Sequence, residues 1–190
     1  HRRCVVGANL GSQFSTLPEG IATDWCDAFK TLAPVARFVT INLSAPYYAR
    51  LLQMRNLPCV VDALGGVARV REQQGPIPLL VKLPFGRQLE SESVASLLPH
   101  LASCGVDGIV VSSVSDALAD VVLHIHTARS FGGLPVVASG GVRTVADLLA
   151  RLAAGAELVQ VYSAFAEGGQ SAIDALLNRA KSPMPERNIP

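Results

Sequence analysis

The chain has 190 residues, of which 49% are hydrophobic and 16% are charged, and its formal net charge is +1. This length suits one domain with a packed core, the near-neutral charge excludes the broad basic surface of a nucleic-acid-binding protein, and no run of about 18 uncharged apolar residues is present that would cross a membrane. We therefore expect a small-molecule or protein partner, with no nucleic acid and no membrane segment in this chain.

Six short, mostly β-branched segments alternate with helical segments along the chain. In chain order, the predicted strands are Cys4 to Leu10, Phe38 to Leu43, Pro78 to Leu83, Gly108 to Ser112, Pro135 to Ala138 and Leu158 to Tyr162. Most of them lack polar and apolar alternation, which is typical of parallel strands that are covered on both faces. The pattern predicts consecutive βαβ units in one domain over residues 1–180, followed by a loose tail over residues 181–190.

The segments between the strands carry helical patterns. Helices are predicted over Asp24 to Leu32 and Ser91 to Leu101. The segment RTVADLLARLAAGAE predicts a further helix, because Thr144 and Asp147 have the spacing of a capping box. Its apolar stripe, which we expect to pack on the sheet, consists of Val145, Leu148, Leu149 and Leu152.

Polar residues and glycines follow the predicted strands, where the loops of a parallel sheet converge. These strand-end residues are Asn9-Leu10-Gly11, Asn42 to Pro46, Lys82-Leu83-Pro84, Ser112-Ser113, Ser139-Gly140-Gly141 and Tyr162-Ser163. Gly140 and Gly141 would let backbone N–H groups approach an anion, and the helix that begins near Thr144 adds a positive dipole end. Donors at Tyr162 and Ser163 would complete a phosphate site of the barrel type. A tight turn at the two glycines with no ligand is the alternative.

Lys82 interrupts the apolar run IPLLVKLP. Burying an ammonium group without a partner is costly. If Lys82 points inward, an electron-rich ligand such as the pyrimidine ring of a flavin would satisfy its charge. The alternative is a strand-end lysine that reaches solvent.

Six motifs occur in a defined order: GANLG at Gly7 to Gly11, INLSAP at Ile41 to Pro46, VKLP at Val81 to Pro84, DGIVVS at Asp107 to Ser112, SGGV at Ser139 to Val142 and AGAELVQVYSAF at Ala154 to Phe165. In order and spacing they resemble the dihydroorotate dehydrogenase family of FMN-containing (β/α)8 barrels. The resemblance covers Val5 to Gly168. It implies an α/β fold of the TIM-barrel type, with about six of the eight βα units in this chain and the first two strands expected to be missing.

The resemblance also implies FMN as the cofactor. Asn9 and Asn42 correspond to asparagines near the isoalloxazine ring, and Lys82 corresponds to the lysine on its pyrimidine side. Gly141 and the pair Tyr162-Ser163 correspond to phosphate contacts. The complete set of predicted cofactor-binding residues is Asn9, Asn42, Lys82, Ser112, Gly140, Gly141, Tyr162 and Ser163.

The substrate side departs from the family pattern Asn-x-Ser-(Ser or Cys)-Pro-Asn. At the position of the Ser or Cys base this chain has Ala45, which has no proton to exchange, so the catalytic base is unknown. Tyr47 replaces the following asparagine, Ser113-Val114 replaces an Asn-Thr pair, and the Gly-rich segment after it is shortened or lost. The predicted substrate-side residues are Ser44, Tyr47 and Ser113.

Two further groups of residues have open roles. His124 and His126 are two residues apart in a predicted helix and do not share a face, so we expect solvated or capping histidines and no metal site. Arg50, Arg55 and Arg87 lie in loops near the expected mouth of the site, where they either bind an acidic ligand or are solvated surface charges.

The start of the chain and its cysteines bear on the compartment. The chain begins at His1 and runs directly into an apolar segment, without room for a secretory signal, and we expect residues upstream to be missing. The scattered cysteines are interpreted as reduced structural thiols. They are Cys4, Cys26, Cys59 and Cys104. We expect a cytoplasmic or mitochondrial protein that is not secreted.

Three functions stay open at this point. The first is an FMN-dependent oxidoreductase that resembles dihydroorotate dehydrogenase, the enzyme that oxidises dihydroorotate to orotate in pyrimidine biosynthesis, with a changed small-molecule substrate. The second is a catalytically degenerate relative that serves as a binding or structural component of an assembly, whether a homo-oligomer or a larger complex. The third is a phosphate-binding barrel without redox chemistry.

Overall fold

A computed structural model of the chain describes residues 5–181 except residues 14, 87, 114 and 116, and it leaves out the side chains of residues 88–90 and 179–181. The strands are β1 (Gly7–Leu10), β2 (Phe38–Asn42), β3 (Leu79–Phe85), β4 (Gly108–Ser113), β5 (Val136–Ser139) and β6 (Leu158–Gln160). The helices are α1 (Ile21–Leu32), α2 (Leu57–Gln74), α3 (Gln88–Leu97), α4 (Leu118–Gly132), α5 (Val145–Ala153) and α6 (Ser163–Lys181). Helix α6 is kinked at Gly169, whose φ of 60° and ψ of −152° are not helical.

The strands form one parallel sheet in the order β1-β2-β3-β4-β5-β6, so each strand pairs with the next one along the chain. The six predicted βα units are therefore confirmed. Some boundaries differ from the predicted ones. β3 continues to Phe85, and β6 ends at Gln160, because the carbonyl of Tyr162 already accepts the N–H of Ala166 in the first turn of α6.

The main core lies between the sheet and the helices that cover its outer face. Ile21, Trp25 and Phe29 recur every four residues in α1 and are fully buried, as expected when one helical stripe faces a sheet. They belong to the same buried cluster as Val39 and Ile41 of β2. Burying a large apolar side chain of this kind contributes about 1.5–3 kcal/mol, so this layer is the main source of stability.

The inner, concave face of the sheet is much more open. Successive side chains of a strand point to opposite faces, so residues between the core positions face inward. Those that line a concave cavity of about 510 Å³ include Thr40, Leu80, Val110, Val137 and Leu158. Thr40 and Val110 are buried, whereas Leu80 and Val137 are half-buried and Leu158 is 65% exposed. In the described part of the chain the sheet is therefore a half-barrel with an open interior.

Helix α5 begins as predicted but packs differently. The capping box is present, with the N–H of Asp147 donating to Thr144 Oγ1 and the N–H of Thr144 donating to Asp147 Oδ2 at 2.8 Å. The predicted apolar stripe packs only in part: Val145, Leu148 and Leu149 are half-buried, Leu152 is 40% exposed, and the fully buried residue of this helix is Arg151. The reason is that α5 lies beside β6, a strand of three residues that offers little surface to cover.

The described cysteines are free thiols. They are Cys26, Cys59 and Cys104, while Cys4 lies outside the described residues. Burial raises the pKa of Cys26 and of Cys104, which favours the protonated thiol and agrees with a structural role. Among the helices of residues 5–181, none is both long and apolar enough to cross a membrane. Most of the predicted tail, residues 182–190, lies outside the described residues.

Candidate functional site

A cavity of about 230 Å³ lies at the carboxyl ends of β3, β5 and β6. Its lining residues are Lys82, Ser139, Gly140, Gly141, Val142, Gln160, Tyr162 and Ser163. Five of the eight predicted cofactor residues are in this set. The fold thus brings side chains that are about 80 positions apart in the sequence to one edge of the sheet, where functional groups of parallel α/β proteins gather.

Lys82 crosses the concave face from β3 toward β5 and β6. Its Nζ donates to Ser139 Oγ at 3.3 Å and to Gln160 Oε1 at 3.2 Å. Burial lowers the pKa of Lys82, and both of its hydrogen-bond acceptors are neutral. The side chain therefore points into the cavity, where its charge is available to an electron-rich or anionic ligand.

The turn after β5 is built from two glycines with positive φ angles, +102° at Gly140 and +62° at Gly141. A Cβ atom on Gly140 would lie 2.9 Å from the carbonyl oxygen of Ser113. Only glycine suits both the backbone conformation and this close approach. On its other side, Gly140 O accepts a hydrogen bond from Arg151 Nη2 at 2.9 Å.

The start of α6 completes the cavity. Ser163 is the first residue of this helix, and Tyr162 immediately before it is 79% exposed. The first N–H groups of a helix have no partner within the helix and, with the helix dipole, attract anions. The lining residues in the described part of the chain include no acidic side chain. The cavity therefore suits an anionic group such as a phosphate ester.

The other three predicted cofactor residues do not line this cavity. Asn42 pairs with Lys82 in the sheet, and its Oδ1 accepts hydrogen bonds from the N–H and the hydroxyl of Ser44 at 2.9 and 2.8 Å. Ser112 lies on β4, between the cavity strands β3 and β5, and pairs with the lining residue Ser139. Asn9 is exposed on the edge strand β1. All three lie on the concave side of the sheet. Asn42 and Ser112 are direct sheet partners of the lining residues Lys82 and Ser139, whereas Asn9 lies on β1, two strands away from β3.

The loop after β2 contains Ala45 and Tyr47. Ala45 is half-buried against the hydrophobic core and precedes a 3-10 turn at Pro46–Tyr48. Tyr47 is about half exposed and contacts Tyr48, with ring centroids 4.2 Å apart and ring planes tilted by 56°. The hydroxyl of Tyr48 donates to the backbone oxygen of Ser12, and its burial raises its pKa. The methyl side chain of Ala45 cannot accept a proton from a substrate.

Ser113 faces away from the cavity. Its Oγ lies 3.0 Å from Nδ1 of His124 on α4, because Ser112 and Ser113 alternate between the two faces of β4. His124 is half-buried, with its ring centroid 5.7 Å from that of Phe85. Burial lowers the pKa of His124, and Asp120 opposes this shift. The expectation of a solvated or capping histidine is wrong for His124, but His126 is exposed as expected. Val114 lies outside the described residues.

The loop arginines have different positions. Arg50 Nη2 donates to the backbone oxygen of Thr16 at 2.7 Å, which gives Arg50 a structural role between two loops. Arg55 is exposed, and Arg87 lies outside the described residues. Across the described ranges, no group of three or more His, Cys, Asp or Glu residues is arranged to hold a metal ion.

Sequence reasoning missed two residues of this region. Gln160 is a hydrogen-bond partner of Lys82, and Arg151 supports the glycine turn. Both carried a signal in the sequence. Gln160 is a polar residue within the apolar strand LVQV, as Lys82 is in its own strand. Arg151 follows Thr144 and Asp147 at helical spacing, which places all three on one face.

Comparison with known proteins gives one consistent result. The sequence profile of the family described as "Dihydroorotate dehydrogenase" matches residues 105–184. The chain is 27% identical over 212 residues to "Dihydroorotate dehydrogenase (quinone)" of Dichelobacter nodosus, with 97% of this chain and 61% of the relative covered. It is 30% identical over 190 residues to the protein of the same name from Anaeromyxobacter sp., with 86% and 51% covered. The chain thus spans between about half and two thirds of the length of these relatives.

The solved structures agree. A crystal structure of DHODH from Eimeria tenella in complex with ferulenol superposes with a TM-score of 0.77 at 20% identity, covering 94% of this chain and 58% of the other. A ligand-free DHODH structure from Eimeria tenella gives a TM-score of 0.74 at 21% identity, covering 95% and 62%. At this identity the likeness establishes the fold. The predicted barrel class, with six βα units in this chain, is confirmed.

Proposed function

Because the chain is a member of the dihydroorotate dehydrogenase family, we propose that it binds FMN at the cavity between β3, β5 and β6 and works as a flavin-dependent oxidoreductase with a changed substrate side. One observation carries the proposal. Lys82, the glycine turn and the first residue of α6 share a single cavity, although they come from three separate parts of the sequence.

The residues present fit FMN at its phosphate end. At about 230 Å³ the cavity is smaller than a typical pocket of roughly 300–1,000 Å³ for a whole ligand. The Gly140-Gly141 turn and Ser163 would hold the phosphate, where backbone N–H groups and a helix N-terminus favour negative charge. Lys82 and Gln160 would lie toward the ring system. When bound, FMN supplies the capacity to accept a hydride.

Lys82 has the electrostatic role in this proposal. Its ammonium is held by two neutral oxygens, and its burial already disfavours the charged state. A negative charge on a bound ligand would offset that cost and would in turn be stabilised by the ammonium. Lys82 therefore orients the electron-rich side of a ligand and favours states in which that side is negative.

The substrate side determines which compound is oxidised. Removing a general base costs about 10²- to 10⁴-fold in rate, and Ala45 has no group that can take over this role. We therefore propose a substrate that loses its proton without help from position 45. A cofactor-binding component without turnover is the second candidate, and the packing of Ala45 against the hydrophobic core favours it.

The absorbance spectrum of the purified protein tests the cofactor proposal. We expect a yellow protein, or one that becomes yellow on titration with FMN, whose absorbance is bleached by dithionite. A colourless protein that takes up no FMN contradicts the proposal. Binding of phosphate esters without any flavin binding would instead support a phosphate-binding barrel without redox chemistry.

Mixing the FMN-loaded protein with dihydroorotate tests the substrate side. We expect slow bleaching or none, because no base is present at position 45. Rapid bleaching would show that the interpretation of Ala45 is wrong. Bleaching by dithionite together with no bleaching by any organic hydride donor tested would favour the component without turnover.

A further inference from the structure

We propose that Arg151 is a positioning residue for anion binding, which holds the Gly140-Gly141 turn from behind and directs its backbone donor into the cavity. The inference rests on the proposed function for the identity of the ligand, which is the phosphate group of FMN. Arg151 does not line the cavity and acts on the ligand through the glycine turn.

The placement of Arg151 is the first observation. It lies in the last turn of α5 but is only 2% exposed. Its Nη2 donates to Gly140 O at 2.9 Å, and its Nη1 donates to Asp147 O at 2.8 Å. A long side chain on a helix turns back toward the helix N-terminus, so Arg151 reaches from the end of α5 to the turn that precedes the helix.

The peptide group between Gly140 and Gly141 determines where the N–H of Gly141 points. The Gly140 carbonyl and the Gly141 N–H belong to one peptide unit, and the described residues contain no cis peptide bond. In a trans peptide the C=O and N–H bonds point in opposite directions. Since the oxygen points at Arg151, the N–H of Gly141 points away from the guanidinium. Gly141 lines the cavity, so this N–H becomes a donor on the ligand side of the turn.

The turn is held on both sides. A Cβ on Gly140 would lie 2.9 Å from the oxygen of Ser113, so β4 limits movement in one direction and Arg151 limits it in the other. A donor fixed before the ligand arrives binds an anion better than a mobile one, because less order has to be created on binding.

The buried positive charge of Arg151 favours an anion on the other side of the turn. Both acceptors of its guanidinium are backbone carbonyls, and burial lowers its pKa, which Asp147 opposes. A buried cation with neutral acceptors is costly. An anion bound beyond the turn would reduce that cost, and a hydrogen bond to a carbonyl also polarises the N–H of the same peptide unit. Both effects favour a phosphate over a neutral ligand.

Three variants of the full chain test the inference: R151M, R151K and the control R129M. Arg129 is a matched control because it also donates to a glycine carbonyl, that of Gly155, whose φ is +99°. It lies on α4 and contacts the opposite end of β6 through Glu157. The probes are FMN, riboflavin, which lacks the phosphate, and inorganic phosphate, with affinities measured by flavin fluorescence and by calorimetry.

We expect R151M to bind FMN and inorganic phosphate about tenfold more weakly, while its riboflavin affinity stays at the wild-type value. R151K keeps the positive charge but replaces the planar guanidinium with a compact ammonium group. We therefore expect its affinity to fall about threefold for FMN and to stay unchanged for riboflavin. R129M should bind all three probes like the wild type. If R151M does not fold, R151K alone carries the test.

Several outcomes would overturn the inference. Equal losses for FMN and riboflavin in the Arg151 variants would indicate a merely structural role. Unchanged phosphate affinity in R151M would show that the guanidinium does not act on the turn. If the wild-type chain binds no phosphate, the cavity is not an anion site. If the chain binds phosphate but neither flavin, the proposed function is overturned. The phosphate affinities of the wild type and R151M then still test whether Arg151 supports anion binding.

Discussion

At the scale of single residues, Lys82 and Ala45 define the two sides of the candidate site. The ammonium of Lys82 donates to two neutral oxygens in the cavity, whereas the methyl group of Ala45 packs against the hydrophobic core. One position keeps a group that suits a cofactor, and the other lacks the group that would move a substrate proton. Both positions can be tested by single substitutions.

K82M replaces the ammonium by an apolar side chain of similar length. We expect FMN affinity to fall about tenfold or more, because a charge-assisted contact is lost from a partly buried site. K30M is a suitable control, since Lys30 is an exposed lysine paired with Asp27 at 3.1 Å. Fluorescence titration of both variants with FMN measures the effect. Equal affinities in K82M and the wild type would remove Lys82 from the site.

A45S restores a hydroxyl at the position of the missing base. We expect bleaching of the bound flavin by dihydroorotate to become about tenfold faster. This gain is smaller than the usual 10²- to 10⁴-fold effect of a base, because Tyr47 still replaces an amide. Stopped-flow absorbance measures the rate. A49S, which introduces the same group four residues later, should leave it unchanged. No gain in A45S would mean that position 45 does not limit the reaction.

At the scale of elements, α5 connects local sequence signals with the site. Its capping box determines where the helix begins, and this start positions Arg151 two turns later beneath the glycine turn. Burial alone would raise the pKa of Asp147. Hydrogen bonds from the Thr144 hydroxyl and from the N–H groups of Arg143 and Thr144, with the charge of Arg151, lower it by more. The carboxylate of Asp147 is therefore stabilised in the folded chain.

T144A tests this element through its pH dependence. We expect the free energy of unfolding at pH 7 to fall by about 1 kcal/mol, because an N-cap is lost. The folded-state pKa of Asp147 lies below 3.8, so its contribution is fully present above about pH 4 and is lost as the pH falls through the folded pKa. The difference between T144A and the wild type should therefore shrink toward pH 3.

Urea unfolding at both pH values measures the effect of T144A. T31A is the control, because Thr31 is exposed in the last turn of α1 and its hydroxyl donates to Asp27 O in the preceding turn. A wild-type value for T144A at pH 7 would show that the capping box does not stabilise the protein. An equal loss at pH 7 and pH 3 would show that Asp147 does not contribute through its charge.

At the scale of the whole molecule, the two faces of the sheet are unequal. Helices cover the outer face, where residues such as Val39 and Val136 are fully buried. The inner face has half-exposed and exposed apolar residues, among them Val137 and Leu158. Stability should therefore depend on the outer layer, while the inner face at the carboxyl ends is available for a ligand.

V136A and V137A compare the two faces on one strand. We expect V136A to lower the free energy of unfolding by about 2 kcal/mol, because two methyl groups leave a packed core. V137A should cost less than about 1 kcal/mol, since Val137 is half-exposed on the concave side. Chemical denaturation of the two variants measures both values. Equal losses would show that the concave face is as well covered as the outer face.

Much of the fold is predictable from the sequence because the responsible interactions are local. β-branched runs, the four-residue spacing of Ile21, Trp25 and Phe29, and the Thr144 and Asp147 pair each depend on neighbours within a few positions. The carboxyl-end rule then predicts that Lys82 and the glycine turn meet at one edge, and they do. The sequence thereby determined the six βα units and the core of the candidate site.

Only the tertiary structure decided what depends on contacts between distant segments. It directs Ser113 to His124 instead of into the cavity, adds Gln160 as a partner of Lys82, and buries Arg151 behind the glycine turn. Each of these follows from the register of neighbouring strands and from the packing of a helix on a short edge strand. Such contacts join residues far apart in the chain, and no pattern of neighbouring side chains specifies them.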